Sequence, residues 1–230
     1  MKIKFYAHAS FRLEGDGLAV VTDPFNCEKS RFDPINEPAD IVLMSSDTDD
    51  FHSDPSHIQG NPEVVNTLAI PLGGRVVKGI EVTSYPATES LTFDYQTEYG
   101  RDPDANALYH FTLGGLRFLH MGDIGTAVPD GHLQALKGKV DVLLALTGDH
   151  ATIPLPDLDE AIRVIGPKAV IPMHYYSPKG VLKIEPVESF LARVPADSIT
   201  RVGGCEMELT ADMLPPAGAT PRVFVFEQSR

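Results

Sequence analysis

Short apolar runs broken by turn residues, rather than long amphipathic stripes, dominate the first half of the chain. Lys2 to Tyr6, Ser10 to Leu13 and Leu18 to Thr22 read as β-strands, with Gly15-Asp16-Gly17 turning the second into the third. A stretch rich in Pro, Asp and Asn, from Asp23 to Ala39, precedes Ile41 to Met44, whose unbroken apolar character predicts a strand buried on both faces. Val64 to Ile70, Gly74 to Lys78 and Ile80 to Tyr85 predict three more strands with tight turns between them. Glu89 to Ala105 is polar and aperiodic and predicts a long loop. Beyond it, Leu108 to Leu113 and Leu116 to His120 flank Gly114-Gly115, a strong hairpin signal.

The last third changes character. Asp130 to Leu136 predicts a short helix before the strand Val140 to Leu146. Asp157 to Ile165, opened by Pro156 and closed by Gly166-Pro167, predicts a helix before the strand Lys168 to Ile171. Val187 to Val194 reads as helical and Arg222 to Phe226 as β. Strands first, then strands alternating with helices, imply sheets that bury one face against each other and carry helices on their outer faces, a layered α/β sandwich. A doubly wound sheet fits less well, because the opening hairpins are antiparallel and no Gly-rich turn follows the first strand.

Composition narrows the partners. At 230 residues with 43% hydrophobic and 22% charged side chains, residues 1–230 are expected to form a single domain with an ample core. The net charge of −13, with no Lys/Arg cluster, argues against nucleic acid and anionic membranes as partners. A small-molecule substrate is expected, and an anionic one is compatible because a metal ion or local arginines reverse the field inside a cleft. Oligomeric state is left open. The start of the chain lacks the apolar segment of a secretory signal, and no run has the length of a membrane span. Cys27 and Cys205 lack metal-type spacing; two buried, reduced thiols in a cytoplasmic protein are expected, with a disulfide between them as the alternative.

Two stretches carry chemistry. Met121-Gly122-Asp123-Ile124-Gly125 and Ile171-Pro172-Met173-His174-Tyr175 each put a metal-capable side chain just past the end of a predicted strand. A carboxylate and an imidazole delivered from distant segments are parts of hydrolytic metal sites. Each residue also has a plainer role open to it. Asp123 could cap its turn through backbone N–H groups. Asp50, in the acidic run Asp47 to Asp50, could cap a helix in a solvated loop. His8, between two alanines, reads as a structural histidine bonded to Asp23. His57, His110 and His132 read as surface or packing residues, and strand alternation points His120 away from the site.

Taken in order along the chain, these residues resemble the metallo-β-lactamase superfamily, nearest to its branch of small cytoplasmic hydrolases that includes the ascorbate-phosphate lactonases. Tyr6-Ala7-His8-Ala9-Ser10-Phe11 looks like that branch's first hairpin and Thr22-Asp23-Pro24-Phe25 like its next strand end. Met121-Gly122-Asp123 and Ile171 to Tyr175 look like its two late metal motifs. The resemblance runs from residue 1 to about 195 and implies a four-layer αββα sandwich.

The family's central His-x-His-x-Asp-His motif is degenerate here. With the strand Ile41 to Met44 as anchor, Ser46 and Thr48 fall on its first two histidines, Asp50 on its aspartate and Phe51 on its last histidine. The family's next histidine falls on Glu89. Hydroxyls are feeble ligands for divalent transition metals, so the resemblance implies loss of the all-imidazole site. It leaves Asp50, Asp123 and His174 to hold one divalent ion, with Zn, Mn or Mg as candidates. Asp50 or Glu89 would accept the proton from attacking water. His52, Glu89 and His150 are alternatives for the lost ligands, although a helix beginning at Phe51 would turn His52 away. A register slipped by one, with Asp47, Asp49 and His52 on ligand positions, fits the strand less well.

The expected function is a metal-dependent hydrolase of an ester, lactone or phosphoester. Two rivals stand beside it: a catalytically inactive member that binds a small ligand or a protein without metal, and a metal-free acid–base enzyme using the same carboxylates and imidazole.

Overall fold

The computed structural model describes residues 1–89 and 105–230, so the predicted loop from Glu89 to Ala105 lies outside the described residues except at its two ends. The strands are β1 (Lys2–Ala7), β2 (Ser10–Gly15), β3 (Leu18–Thr22), β4 (Ile41–Met44), β5 (Glu63–Asn66), β6 (Arg75–Val77) and β7 (Ile80–Thr88). They continue with β8 (Ala105–Leu113), β9 (Leu116–His120), β10 (Val142–Leu146), β11 (Ala169–Met173), β12 (Ile199–Arg201), β13 (Glu206–Glu208) and β14 (Arg222–Val225). The helices are α1 (Cys27–Ser30), α2 (Asp130–Leu136), α3 (Leu155–Ile165) and α4 (Val187–Leu191). Among the described residues no helix is long and apolar enough to cross a membrane.

Two sheets form, in the orders β13-β1-β2-β3-β4-β5 and β12-β14-β11-β10-β9-β8-β7-β6. The short tail strands, which the sequence pattern missed apart from Arg222 to Phe226, thus serve both sheets. Side-chain alternation explains the layering. Phe5, Val20, Ile41 and Leu43 point into the core between the sheets, where they join Phe111, Leu113 and Phe118 of the second sheet. Their neighbours Tyr6, Val21, Val42 and Met44 point outward into a second cluster with Phe25, Phe32 and Ile35. Among the described residues, the outer layer over the first sheet is therefore built mainly by the segment after β3, which includes the four-residue α1. The second sheet meets the expectation: α2 and α3 are the crossovers of the parallel run β9-β10-β11, and β10 and β11 are buried throughout.

Three local departures have physical causes. The strand expected from Val64 to Ile70 stops at Asn66, whose side chain accepts from the Leu68 N–H (3.0 Å) and caps a 3-10 turn, Thr67–Ala69. The last helix stops at Leu191, short of Val194, because Pro195 disfavours a helical residue before it. Cys27 and Cys205 are half-buried rather than buried.

At the amino ends of β9, β10 and β11, the Asp141 carboxylate accepts from the Arg117 backbone N–H (3.0 Å), its guanidinium (2.9 and 3.0 Å) and Lys168 Nζ (2.9 Å). Burial would raise this carboxyl, but Arg117 and Lys168 outweigh it and hold it well below the usual range. Asp141→Asn should therefore cost about 2–4 kcal/mol at neutral pH. Because the folded group is the stronger acid, that contribution is full above the ordinary carboxylate range and fades as pH falls through it. Urea melts of both proteins should differ fully from pH 7 down to about pH 5 and begin to converge only below about pH 4.

Candidate metal centre

The carboxyl ends of β1, β3 and β4 in one sheet and of β7, β9 and β11 in the other lie on a common edge, the usual place for ligands in such folds. Backbone joins the two sheets there: the His174 N–H donates to the His8 carbonyl (2.8 Å). Both residues hold left-handed backbone (φ 50 and 49), as does Asp23 (φ 33), conformations that cost free energy and concentrate at functional sites.

At this edge five buried metal-capable side chains meet, His8, Asp49, His52, Asp123 and His174. They form two overlapping groups, His8–His52–His174 and Asp49–His52–Asp123, each with ligand atoms within 4.8 Å of one another. His52 is the common member. Its Nδ1 lies 3.0 Å from Asp49 Oδ2 and 3.3 Å from Asp123 Oδ2, and its Nε2 lies 3.2 Å from His8 Nδ1. His174 Nε2 is 3.6 Å from Asp123 Oδ1, beyond hydrogen-bond reach.

Charge is sharply partitioned. Burial opposes a charged His52, but Asp49 and Asp123 outweigh it and lift its pKa well above the ordinary value. Burial likewise opposes ionised Asp49, yet His52 and the Phe51 and His52 N–H groups bring it down to about 2. His8 is held well below the ordinary range by burial, reinforced by His52 and His174. His174 is also lowered by burial, against the pull of Asp123. Two neutral imidazoles thus face a carboxylate-backed third.

The expected residues are distributed unevenly. Asp123 and His174 lie together in the cluster. Asp50 does not: it is half-exposed and paired with Lys29 Nζ at 2.7 Å. The inward carboxylate is Asp49, whose Oδ1 accepts from the Phe51 (2.8 Å) and His52 (3.0 Å) N–H groups. That turn points Phe51 partly outward and His52 inward, where a helix starting at Phe51 was expected to do the reverse. With Asp49 as the aspartate of His-x-His-x-Asp-His, its histidine positions fall on Ser45, Asp47 and Asp50. Ser46 and Thr48 bond each other's hydroxyls (3.1 Å). Glu89 is buried just past β7, where the Gly125 N–H donates to Thr88 (3.0 Å), but it belongs to neither metal-type group. His150 is exposed.

Other histidines do structural work. His120 donates from Nε2 to the Ala9 carbonyl (2.8 Å) and accepts the Gly122 N–H at Nδ1 (2.9 Å), tying the site turn to the first hairpin. Burial lowers its pKa to about 3, so that tautomer persists. The expected His8–Asp23 bond is absent among the described contacts; Asp23 accepts instead from the Ser45 N–H (2.6 Å) and is pushed up to about 8 by burial. His8, Asp49 and Asn106, whose amide oxygen accepts the Asp123 N–H (3.0 Å), are the residues that sequence reasoning undervalued. The Asp49-x-x-His52 spacing, which lets a carboxylate meet an imidazole within one turn, was the available signal.

A divalent ion fits this donor set. Asp123 Oδ1 and both ring nitrogens of His174 are buried without a hydrogen-bond partner, an expensive arrangement that a cation relieves at the carboxylate oxygen or at one of the two nitrogens. Positioning of His174 depends on a close approach: a Cβ at Gly148 would lie 2.4 Å from the His174 carbonyl oxygen and 3.1 Å from Ile184 Cβ. Gly148→Ala should cost about 1–3 kcal/mol and weaken metal binding together with it, measurable by thermal melts with and without added Zn.

Residues 2–174 match the family described as the beta-lactamase superfamily domain, and the chain belongs to that superfamily. A relative in Carboxydothermus hydrogenoformans, named a UPF0173 metal-dependent hydrolase, is 31% identical over 195 residues, covering 76% of this chain and 84% of its own. Another of the same name in Archaeoglobus fulgidus is 30% identical over 196 residues, covering 76% and 83%. Among solved structures, a Thermotoga maritima protein described as a Zn-dependent hydrolase of the metallo-beta-lactamase superfamily superposes with a TM-score of 0.73 at 28% identity, covering 99% of this chain and 98% of that one.

Proposed function

We propose that this chain is a metal-dependent hydrolase of a small-molecule ester, lactone or phosphoester, working with one divalent ion at the shared sheet edge. The observation that carries the reading is the convergence of His8, Asp49, His52, Asp123 and His174, with Asp123 Oδ1 and the His174 nitrogens left unpartnered. The names of its relatives support the same class. When bound, the ion would lower the pKa of water and polarise the scissile group.

The chain's own residues divide the remaining work. Asp49 takes the Nδ1–H of His52 and orients the ring, leaving Nε2 toward the other imidazoles. Asp123 Oδ1, aimed into the cluster, is the proton acceptor. Glu89, at the end of β7, is a second carboxylate on the same edge. Asp50 is dropped from both of its expected roles, since its carboxylate lies at the surface against Lys29. The nitrogen-rich cluster favours Zn over Mg, in contrast to the oxygen-rich set built on Asp50.

Protein purified without chelators should carry about one equivalent of divalent metal and hydrolyse a member of a panel of esters, lactones and phosphoesters. Absence of both metal uptake and turnover across that panel defeats the reading.

A further inference from the structure

We propose that the ion is held by three imidazoles, His8, His52 and His174, a ligand set that replaces the lost histidine motif with a residue from the β1–β2 turn. The proposal rests on the metal-dependent reading above and specifies which atoms bind. The three rings come from separate segments, are 3%, 1% and 2% exposed, and form a near-equilateral triangle with centroids 5.1, 5.3 and 4.9 Å apart.

The facing nitrogens identify the binding side. His52 Nδ1 lies against Asp49 and Asp123, so Nε2 is the nitrogen that faces the other two rings and is placed to take a metal. That nitrogen meets His8 Nδ1 at 3.2 Å, and His174 adds two buried ring nitrogens without a hydrogen-bond partner, Nε2 standing 3.6 Å from Asp123 Oδ1. A proton between His8 and His52 would satisfy that pair but leave His174 without a partner, whereas one divalent ion takes a nitrogen from each of the three rings. Asp49 then stands behind His52 as a carboxylate behind a metal-bound histidine, the arrangement that orients such ligands.

Backbone geometry explains why His8 can take part. Its left-handed conformation, with the carbonyl accepting the His174 N–H (2.8 Å), couples the two rings through one hydrogen bond across the sheets. Three neutral nitrogens with one further position suit Zn or Co(II) and leave room for water or substrate. Asp123 stays free to work on the proton.

The test loads chelator-stripped protein with Zn and with Co(II). Affinity is read by competition with a chromophoric chelator, and the number of bound imidazoles by X-ray absorption. Three imidazoles in the wild type, falling to two in His8→Gln with at least a roughly 100-fold weaker Zn affinity, support the proposal. The loss should exceed the 10–100-fold typical of removing a partner behind a ligand. Tight wild-type binding with fewer than three imidazoles, or a His8→Gln protein of unchanged affinity, overturns the tris-imidazole set while the hydrolase reading stands. A wild type that takes up no divalent ion overturns both. Should His8→Gln fail to fold, the imidazole count in the wild type decides alone.

Discussion

Replacing Asp123 by asparagine is expected to lower hydrolysis by about 10²–10⁴-fold, the range for loss of a positioned proton acceptor. The substitution is nearly isosteric and keeps the Asp123 N–H bond to Asn106, so the turn should hold its shape. What it removes is charge at Oδ1, the buried carboxylate oxygen that has no partner, and at Oδ2, which lies 3.3 Å from His52 Nδ1. On the tris-imidazole assignment the protein should still bind an ion, more weakly, because His52 keeps Asp49 at 3.0 Å. Steady-state turnover at saturating metal separates the two effects. Unchanged turnover would remove Asp123 from the chemistry.

Gly122→Ala should be the most destabilising single methyl in the molecule's site region. Gly122 has φ +60, and a Cβ there would lie 2.4 Å from the Ala107 carbonyl oxygen, 2.5 Å from Asn106 Oδ1 and 2.8 Å from Ser45 Cβ. The left-handed backbone costs about 1–2 kcal/mol for a residue with a side chain, and overpacking against rigid neighbours about 1–3 more. A total of about 2–5 kcal/mol corresponds to a fall in melting temperature of roughly 10 °C for a chain of this size. Two of the three obstacles belong to β8 and the third to the segment after β4, so the methyl wedges apart the elements that meet at the site. A melting temperature within a degree or two of wild type would show that the turn relaxes freely.

Most of the fold was legible because its signals are local. β3, β4 and α2 occur where alternation, apolar run and turn residues put them. The hairpin of β8 and β9 forms on Gly114 (φ 58) and Gly115 (φ 73), the backbone that a two-residue turn requires. The short strands β12 and β13 were missed because three residues carry too little pattern, and each exists only by pairing with β14 or β1. The packing over the outer face of the first sheet leaves no local pattern for a similar reason. Phe25, Phe32 and Ile35 show no period, yet they join Tyr6, Val21 and Val42 in one buried cluster.

The sequence alone determined that a glycine-flanked aspartate and a proline-preceded histidine follow strands, and that the segment after Ile41 to Met44 carries Ser, Thr and Asp where the resemblance implies histidines. Both are matters of residue identity and short-range period. Only the tertiary structure decided that Asp49 faces inward while Asp50 meets Lys29, and that His52 and His8 join His174. In a turn, neighbouring side chains diverge, and which of them enters the interior depends on hydrogen bonds and packing with segments far along the chain. Asp49 gains two N–H donors and an imidazole by turning in, and no local pattern encodes that balance.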